Sequence, residues 1–241
     1  MKMREFLNIF FREESQGISD LSRIYRKLMI LHKDKSLKKI MVTSALSFEG
    51  KSTFATLFAL TLAKFNKTKI LLVDGDFRKP KIHEYFNLPR KTGLSELILD
   101  KTPVDICCKA TMLENLRVMT CGDVKDTLVL MTQMLMINEL FDKITTIFDH
   151  IIIDCPPVMP VSEPVLLAKD MDGILLVVKA GKTQREIVKH TVDLLKGAGG
   201  NILGVILNDC GQSLPYYYYR SYYYKYYNKD MKSIKKRLVE A

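Results

Sequence analysis

The chain is 241 residues long, enough for one large α/β core and too short for two. Its longest apolar runs, such as Ile174 to Val178, fall far below the roughly eighteen residues of a membrane span, and its start lacks a signal-peptide pattern, so a cytoplasmic protein is expected. The formal charge of +10 sits at the ends: Lys and Arg outnumber Asp and Glu 10 to 5 over residues 1–40 and 7 to 2 over 216–241, against 20 to 20 between them, which argues against a basic groove across the body and against a nucleic-acid partner.

Residues 1–18 carry an aromatic start (Phe6, Phe10, Phe11) without a readable period. From Ser19 a capped helix is expected, with Leu21, Ile24, Tyr25, Leu28 and Leu31 at helical spacing. Ile40 to Thr43 reads as the first strand, Lys51 to Phe65 as a helix, and Ile70 to Val73 as a buried strand without polar alternation. Further strands are expected at Leu116 to Met119, Ile151 to Ile153, Ile174 to Val178 and Leu203 to Leu207, with a long apolar helix from about Leu128 to Phe148. Apolar strands alternating with helices predict a mostly parallel sheet covered on both faces. Three segments result: 1–35 before the core, 36–214 as the core, and 215–241 as a mobile low-complexity tail. Five cysteines (Cys107, Cys108, Cys121, Cys155, Cys210) form no CxxC pair, and the four histidines are scattered, so neither a disulfide framework nor a zinc site is indicated.

Parallel sheets bind ligands at the carboxyl ends of their strands, and three motifs fall at such ends. After the first strand comes Ser47-Phe48-Glu49-Gly50-Lys51-Ser52-Thr53, opening a helix. Backbone N–H groups and the helix dipole there face a phosphate, with Lys51 for its oxygens and Ser52 for Mg²⁺; Ala45 replaces the usual first glycine. The second buried strand ends in Asp74-Gly75-Asp76-Phe77-Arg78, and Asp154-Cys155-Pro156-Pro157 ends a third. Asp154 has the position of a magnesium-binding Walker B carboxylate. Asn208, ending the last strand, reads equally as an adenine contact or a turn former.

Together these residues resemble the deviant-Walker P-loop NTPases and, more closely, the bacterial tyrosine kinases of capsular and exopolysaccharide synthesis. Val73-Asp74-Gly75-Asp76-Phe77-Arg78 matches that family's second Walker motif, and the helical Asp20, Arg23 and Arg26 resemble its Glu-x-x-Arg-x-x-Arg oligomerisation helix with Asp for Glu. Partition and septum-site ATPases, the alternative as non-kinase switches, carry a signature lysine where this chain has Leu46. The resemblance implies ATP and Mg²⁺ as cofactors: Ser52, Asp76 and Asp154 on the metal, Lys51 and Arg78 on phosphate, and Asp74 as proton acceptor, although the motif leaves open which of Asp74 and Asp76 faces the metal. It also implies a homo-oligomeric ring, a transmembrane polysaccharide co-polymerase that activates the kinase and recruits it to the inner face of the cell membrane, and a cognate tyrosine phosphatase.

Nine of the eleven tyrosines lie in the tail: Tyr216, Tyr217, Tyr218, Tyr219, Tyr222, Tyr223, Tyr224, Tyr226 and Tyr227. They are the expected phosphoacceptors. Twelve residues extend to about 40 Å, enough to reach a neighbouring active site, so transfer in trans is expected. Each phosphate adds about −1.5 to −2 charge, and several would reverse the sign of the basic tail and eject it from a carboxylate-lined site.

Overall fold

The computed structural model describes residues 16–33, 37–66, 68–124 and 137–210. The aromatic start, the first turns of the helix expected from Leu128, and the tyrosine cluster lie outside them.

Helix α1, Gln16–Leu31, starts before Ser19, which lies inside it rather than capping it. Its apolar stripe organises it: Leu21 and Leu28 are buried, Ile24 and Tyr25 partly so. Leu31, expected on that stripe, is exposed with Ile30, because the last turn overhangs the core. Tyr25 fixes the helix through a hydroxyl contact of 3.1 Å to His150 Nε2, while His150 Nδ1 meets the Leu37 carbonyl at 2.8 Å.

The chain then builds β1 (Lys39–Ser44), α2 (Lys51–Asn66), β2 (Ile70–Asp74), the short helices α3 (Ile82–Phe86), α4 (Leu94–Leu99) and α5 (Val104–Cys107), and β3 (Lys109–Ala110). It continues through β4 (Leu116–Met119), α6 (Ile137–Ile144), β5 (His150–Asp154), α7 (Glu163–Leu167), β6 (Gly173–Lys179), α8 (Arg185–Gly197) and β7 (Ile202–Asn208). The sheet order is β3-β4-β2-β5-β1-β6-β7, parallel throughout except for β3 against β4. All residues of β1, β2 and β5 are buried, which explains their unbroken apolar runs: a strand covered on both faces has no polar side to alternate with.

Two apolar layers cover the sheet. Ile40, Val42, Ile70, Leu72 and Ile152 face α1 and α2 through Leu21, Leu28, Phe54 and Phe58. Met41, Leu71, Val73, Ile151 and Ile153 face Leu94, Phe141 and Leu195 on the other side. The period of two along each strand decides which layer a residue joins. The order β2-β5-β1 sets three carboxyl ends side by side, with Asp74 paired in register with Asp154.

Candidate functional site

The loop between β1 and α2 is held from three directions. Ser44 Oγ donates to the Leu46 carbonyl at 2.7 Å, and the buried Glu49 carboxylate accepts the Leu46 N–H at 2.6 Å. Its other oxygen accepts the Lys179 N–H at 3.2 Å and the Thr183 hydroxyl, so β6 clamps the loop. From β7, Asn208 Nδ2 donates to the Glu49 carbonyl at 2.9 Å. Gly50 has φ +90°, and a Cβ there would collide with that same Asn208 amide. Two features therefore demand glycine: the left-handed backbone and the close approach of β7. Asn208 thus secures the loop, a duty that neither of its expected readings contained.

Lys51 opens α2 and lies among carboxylates: Nζ is 2.7 Å from Asp76 Oδ2, 3.6 Å from Asp154 Oδ1 and 3.2 Å from Ser52 Oγ. Burial works against its charge, but Asp154 and Asp76 outweigh burial and hold the ammonium above its ordinary range. Asp154 is completely buried, and neither carboxylate oxygen has a hydrogen-bond partner among the described residues. Burial raises it to about 6 although Lys51 pulls the other way. Orphaned carboxylate oxygens beside a serine hydroxyl and a second carboxylate are the hard-oxygen donors that Mg²⁺ takes, so the residues fit the ion. No group of three His, Cys, Asp or Glu converges among the described residues, but a phosphate-bound Mg²⁺ needs only one or two carboxylates.

Asp74, in register with Asp154, is also fully buried. Its Oδ2 accepts the N–H groups of Lys81 and Ile82 at 3.0 Å each, anchoring the start of α3, whereas Oδ1 receives only a long 3.4 Å contact from the Asp76 N–H. Burial, then the charge of Asp154, raise Asp74 to about 8 against the pull of those donors. Asp76 Oδ1 accepts the Lys79 N–H at 2.9 Å, so the two carboxylates together fold the loop after β2.

Ser47, Phe48, Gly50, Lys51, Ser52, Thr53 and Asp76 line a cleft of about 270 Å³. Arg78, expected on phosphate, pairs in the free protein through its Nε with Oε1 of the buried Glu163 at 3.1 Å. Sequence reasoning missed Lys79, Lys81 and Tyr85, which complete the cleft wall; Tyr85 meets Thr53 through its hydroxyl at 3.3 Å. Only the two lysines beside Asp-x-Asp-x-Arg offered a signal. On α1, Arg23 pairs with Asp20 at 3.4 Å and Arg26 Nε donates to the Ser22 carbonyl at 3.4 Å, all three side chains reaching the surface away from the cleft.

Comparison with known proteins decides between the candidate families. A family model described as ParA, NUBPL iron-transfer P-loop NTPase, matches residues 35–237. The tyrosine-protein kinase YwqD of Bacillus subtilis is 33% identical over 175 residues, 73% of each chain. The tyrosine-protein kinase CpsD of Streptococcus agalactiae is 33% identical over 185 residues, 76% of this chain and 79% of that one. The crystal structure of the chimerical protein CapA2B2 superposes with a TM-score of 0.69 at 33% identity, covering 76% of this chain and 80% of that one. The chain belongs to the ParA-type P-loop NTPases and, among them, to the bacterial tyrosine-protein kinases. Its enzyme class is therefore protein-tyrosine kinase, with a nucleotide-binding P-loop. Within this kinase's P-loop, Phe48 sits at φ +65°, a conformation bulky L-residues rarely adopt. Among the described residues no helix is long and apolar enough to cross a membrane.

Proposed function

We propose that the kinase transfers the γ-phosphoryl group of ATP to its own C-terminal tyrosines, Tyr216 to Tyr227, in a neighbouring copy. The observation that carries this reading is the meeting of Lys51, Asp76 and Asp154 at one end of the sheet, with Asp74 in register beside Asp154. The loop from Ser47 to Thr53 presents backbone donors to the phosphates, and Lys51 leaves its carboxylates to neutralise phosphate oxygens. Ser52, Asp76 and Asp154 would hold Mg²⁺, whose charge supports the loose transition state.

Asp74 accepts the tyrosyl proton. Two backbone donors orient its carboxylate through Oδ2, leaving Oδ1 loosely held, and its raised pKa lies closer to the hydroxyl's value of about 10 than an ordinary carboxylate would. As the tyrosyl oxygen bonds to phosphorus, the bond from the γ-phosphorus to the bridging oxygen breaks, and ADP leaves with the electron pair. Arg78, parked on Glu163, joins the phosphates only by exchanging that partner.

The Asp20, Arg23 and Arg26 face of α1 supports assembly into a ring, which presents one copy's tail to the next. A transmembrane polysaccharide co-polymerase activates the kinase at the inner face of the membrane, and a tyrosine phosphatase resets it, so that the cycle governs capsule synthesis and export. Incubation of the full chain with Mg·ATP and a cytoplasmic fragment of the membrane partner, followed by mass-spectrometric mapping, tests the central claim. Phosphate should appear on Tyr216 to Tyr227 in the native chain and be absent in Lys51→Met. A tail left unmodified with the activator present defeats the autokinase reading.

A further inference from the structure

We propose that Phe48, Lys79 and Lys81, at the mouth of the cleft, form a phosphotyrosine subsite that retains a tail already carrying one phosphate and directs the next transfer to a neighbouring tyrosine. This rests on the autokinase reading above. Phe48 is the starting point: its ring is 85% exposed and its backbone sits at φ +65°, so neither packing nor local conformation accounts for an aromatic residue there. Lys79 Nζ stands over one face of that ring, 5.1 Å from its centre, which fixes an ammonium at an exposed aromatic side chain.

The backbone beneath both lysines is pinned by the reaction's own carboxylates. Asp76 holds the Lys79 N–H at 2.9 Å, and Asp74 holds the Lys81 N–H at 3.0 Å. Lys81 pairs with Glu84 at 2.9 Å, an exposed contact that yields to a stronger anion at little cost. Neither ammonium is needed to balance the buried carboxylates, which Lys51 already serves. An aryl phosphate matches this corner: its ring lies against Phe48, and its dianion takes the two ammoniums.

Charge makes the subsite selective for modified tails. Residues 216–241 carry seven basic and two acidic groups, so an unmodified tail is repelled by a lysine rim. One phosphate reverses that locally. Because the tyrosines run consecutively from Tyr216 to Tyr219, the residue next to a held phosphotyrosine lies within about 4 Å along the chain and stays over the same cleft. Ejection by the buried carboxylates then belongs to the heavily phosphorylated tail, after the rim has acted.

Two measurements on the full-length kinase test this. First, a fluorescent Tyr-phosphoTyr-Tyr peptide is titrated with Mg·ADP present. The native chain should bind it, the Lys79→Gln/Lys81→Gln variant should bind about tenfold more weakly, and the unphosphorylated peptide should not compete. Phenyl phosphate should compete better than inorganic phosphate; equal competition overturns the role of the ring. Equal peptide binding by the native and variant chains overturns the subsite. Second, intact-mass spectra follow phosphoforms over time. With each chain's later transfers measured relative to its own first transfer, the native chain should pass quickly from one phosphate to several, whereas the double variant should accumulate the singly phosphorylated form. A random distribution in both overturns the proposal while leaving the autokinase reading intact. No tail phosphate at all defeats that reading instead, and the binding experiment still reports on the rim.

Discussion

Asp154 carries a cost in the free protein that the Mg²⁺ role proposed for it would explain. A fully buried carboxylate that accepts no hydrogen bond among the described residues and has a 3.6 Å ion pair with Lys51 is unfavourable when ionised, and burial raises its pKa to about 6 against the pull of that lysine. The folded state therefore holds a proton that the unfolded chain releases, so stability is lost as pH rises from about 4 through 6 and stays lost above. Asp154→Asn should raise the stability of the nucleotide-free kinase at pH 8 by about 1–3 kcal/mol, seen as a melting temperature several degrees higher, and change little at pH 4. The same variant should lose Mg²⁺-dependent nucleotide binding. A destabilised variant at pH 8 shows that the ion pair with Lys51 outweighs the cost of burying the charge. Asp74 gives the opposite trend in rate: a base must be ionised, so tail phosphorylation should rise with pH towards a plateau whose midpoint lies at or below about 8, because bound Mg²⁺ favours the charged form. Asp74→Asn should lower the rate about 10²–10⁴-fold and abolish that rise. At Phe48, exchange for glycine removes a large ring but also the left-handed strain, so urea denaturation should show stability unchanged or up to about 1 kcal/mol higher. A loss above 2 kcal/mol would mean that the ring is packed.

At the scale of elements, the P-loop is shaped by strands distant in sequence. Gly50→Ala adds a methyl both at φ +90° and against Asn208, and should cost about 2 kcal/mol or more. Asn208→Ala alone removes one hydrogen bond to Glu49 and should cost about 1 kcal/mol. In the double variant the collision is gone and only the backbone strain persists, so the total should fall short of the sum by more than 0.5 kcal/mol. Additive costs indicate that the amide moves aside freely. This contact also shows what the sequence could and could not disclose. The seven strands were nearly all readable because unbroken apolar runs have few other uses, and the exception, β3, is only two residues long. The three aspartate-bearing or glycine-bearing strand ends were readable too, since Asp74, Asp76, Asp154 and Lys51 sit in local motifs. Asn208 on Gly50, Glu49 on Lys179 and Arg78 on Glu163 were not, because each joins residues more than 80 positions apart and depends on strand order. Short helices such as α3 carry too little periodicity to be recognised, and α3 starts where the Asp74 carboxylate gathers two N–H groups.

At the scale of the whole molecule, the question is how a tail reaches a cleft. β7 ends at the same sheet edge as the cleft, with Asn208 on the P-loop, so position alone does not choose between the chain's own cleft and a neighbour's; delivery to a second copy needs the copies held in a fixed relation. In the proposed ring helix α1 supplies the surface for that: Ile30 and Leu31 are exposed at its end, and the partners of Asp20, Arg23 and Arg26 among the described residues are local. Such exposed pairs contribute little to the fold, so Arg23→Glu/Arg26→Glu should leave the melting temperature within about 2 °C of native while lowering the mass measured by light scattering. Transfer in trans can then be read directly. Mixing the Lys51→Met chain, which keeps its tyrosines, with a chain whose nine tail tyrosines are phenylalanine leaves each unable to modify itself. Phosphate should appear on the Lys51→Met tail, and carrying Arg23→Glu/Arg26→Glu on both chains should slow it about tenfold or more through the lost effective concentration. Phosphorylation that occurs only when the active site and the tail share one chain rules out delivery by a neighbour, and leaves the tail to reach its own cleft from the same sheet edge at which β7 ends.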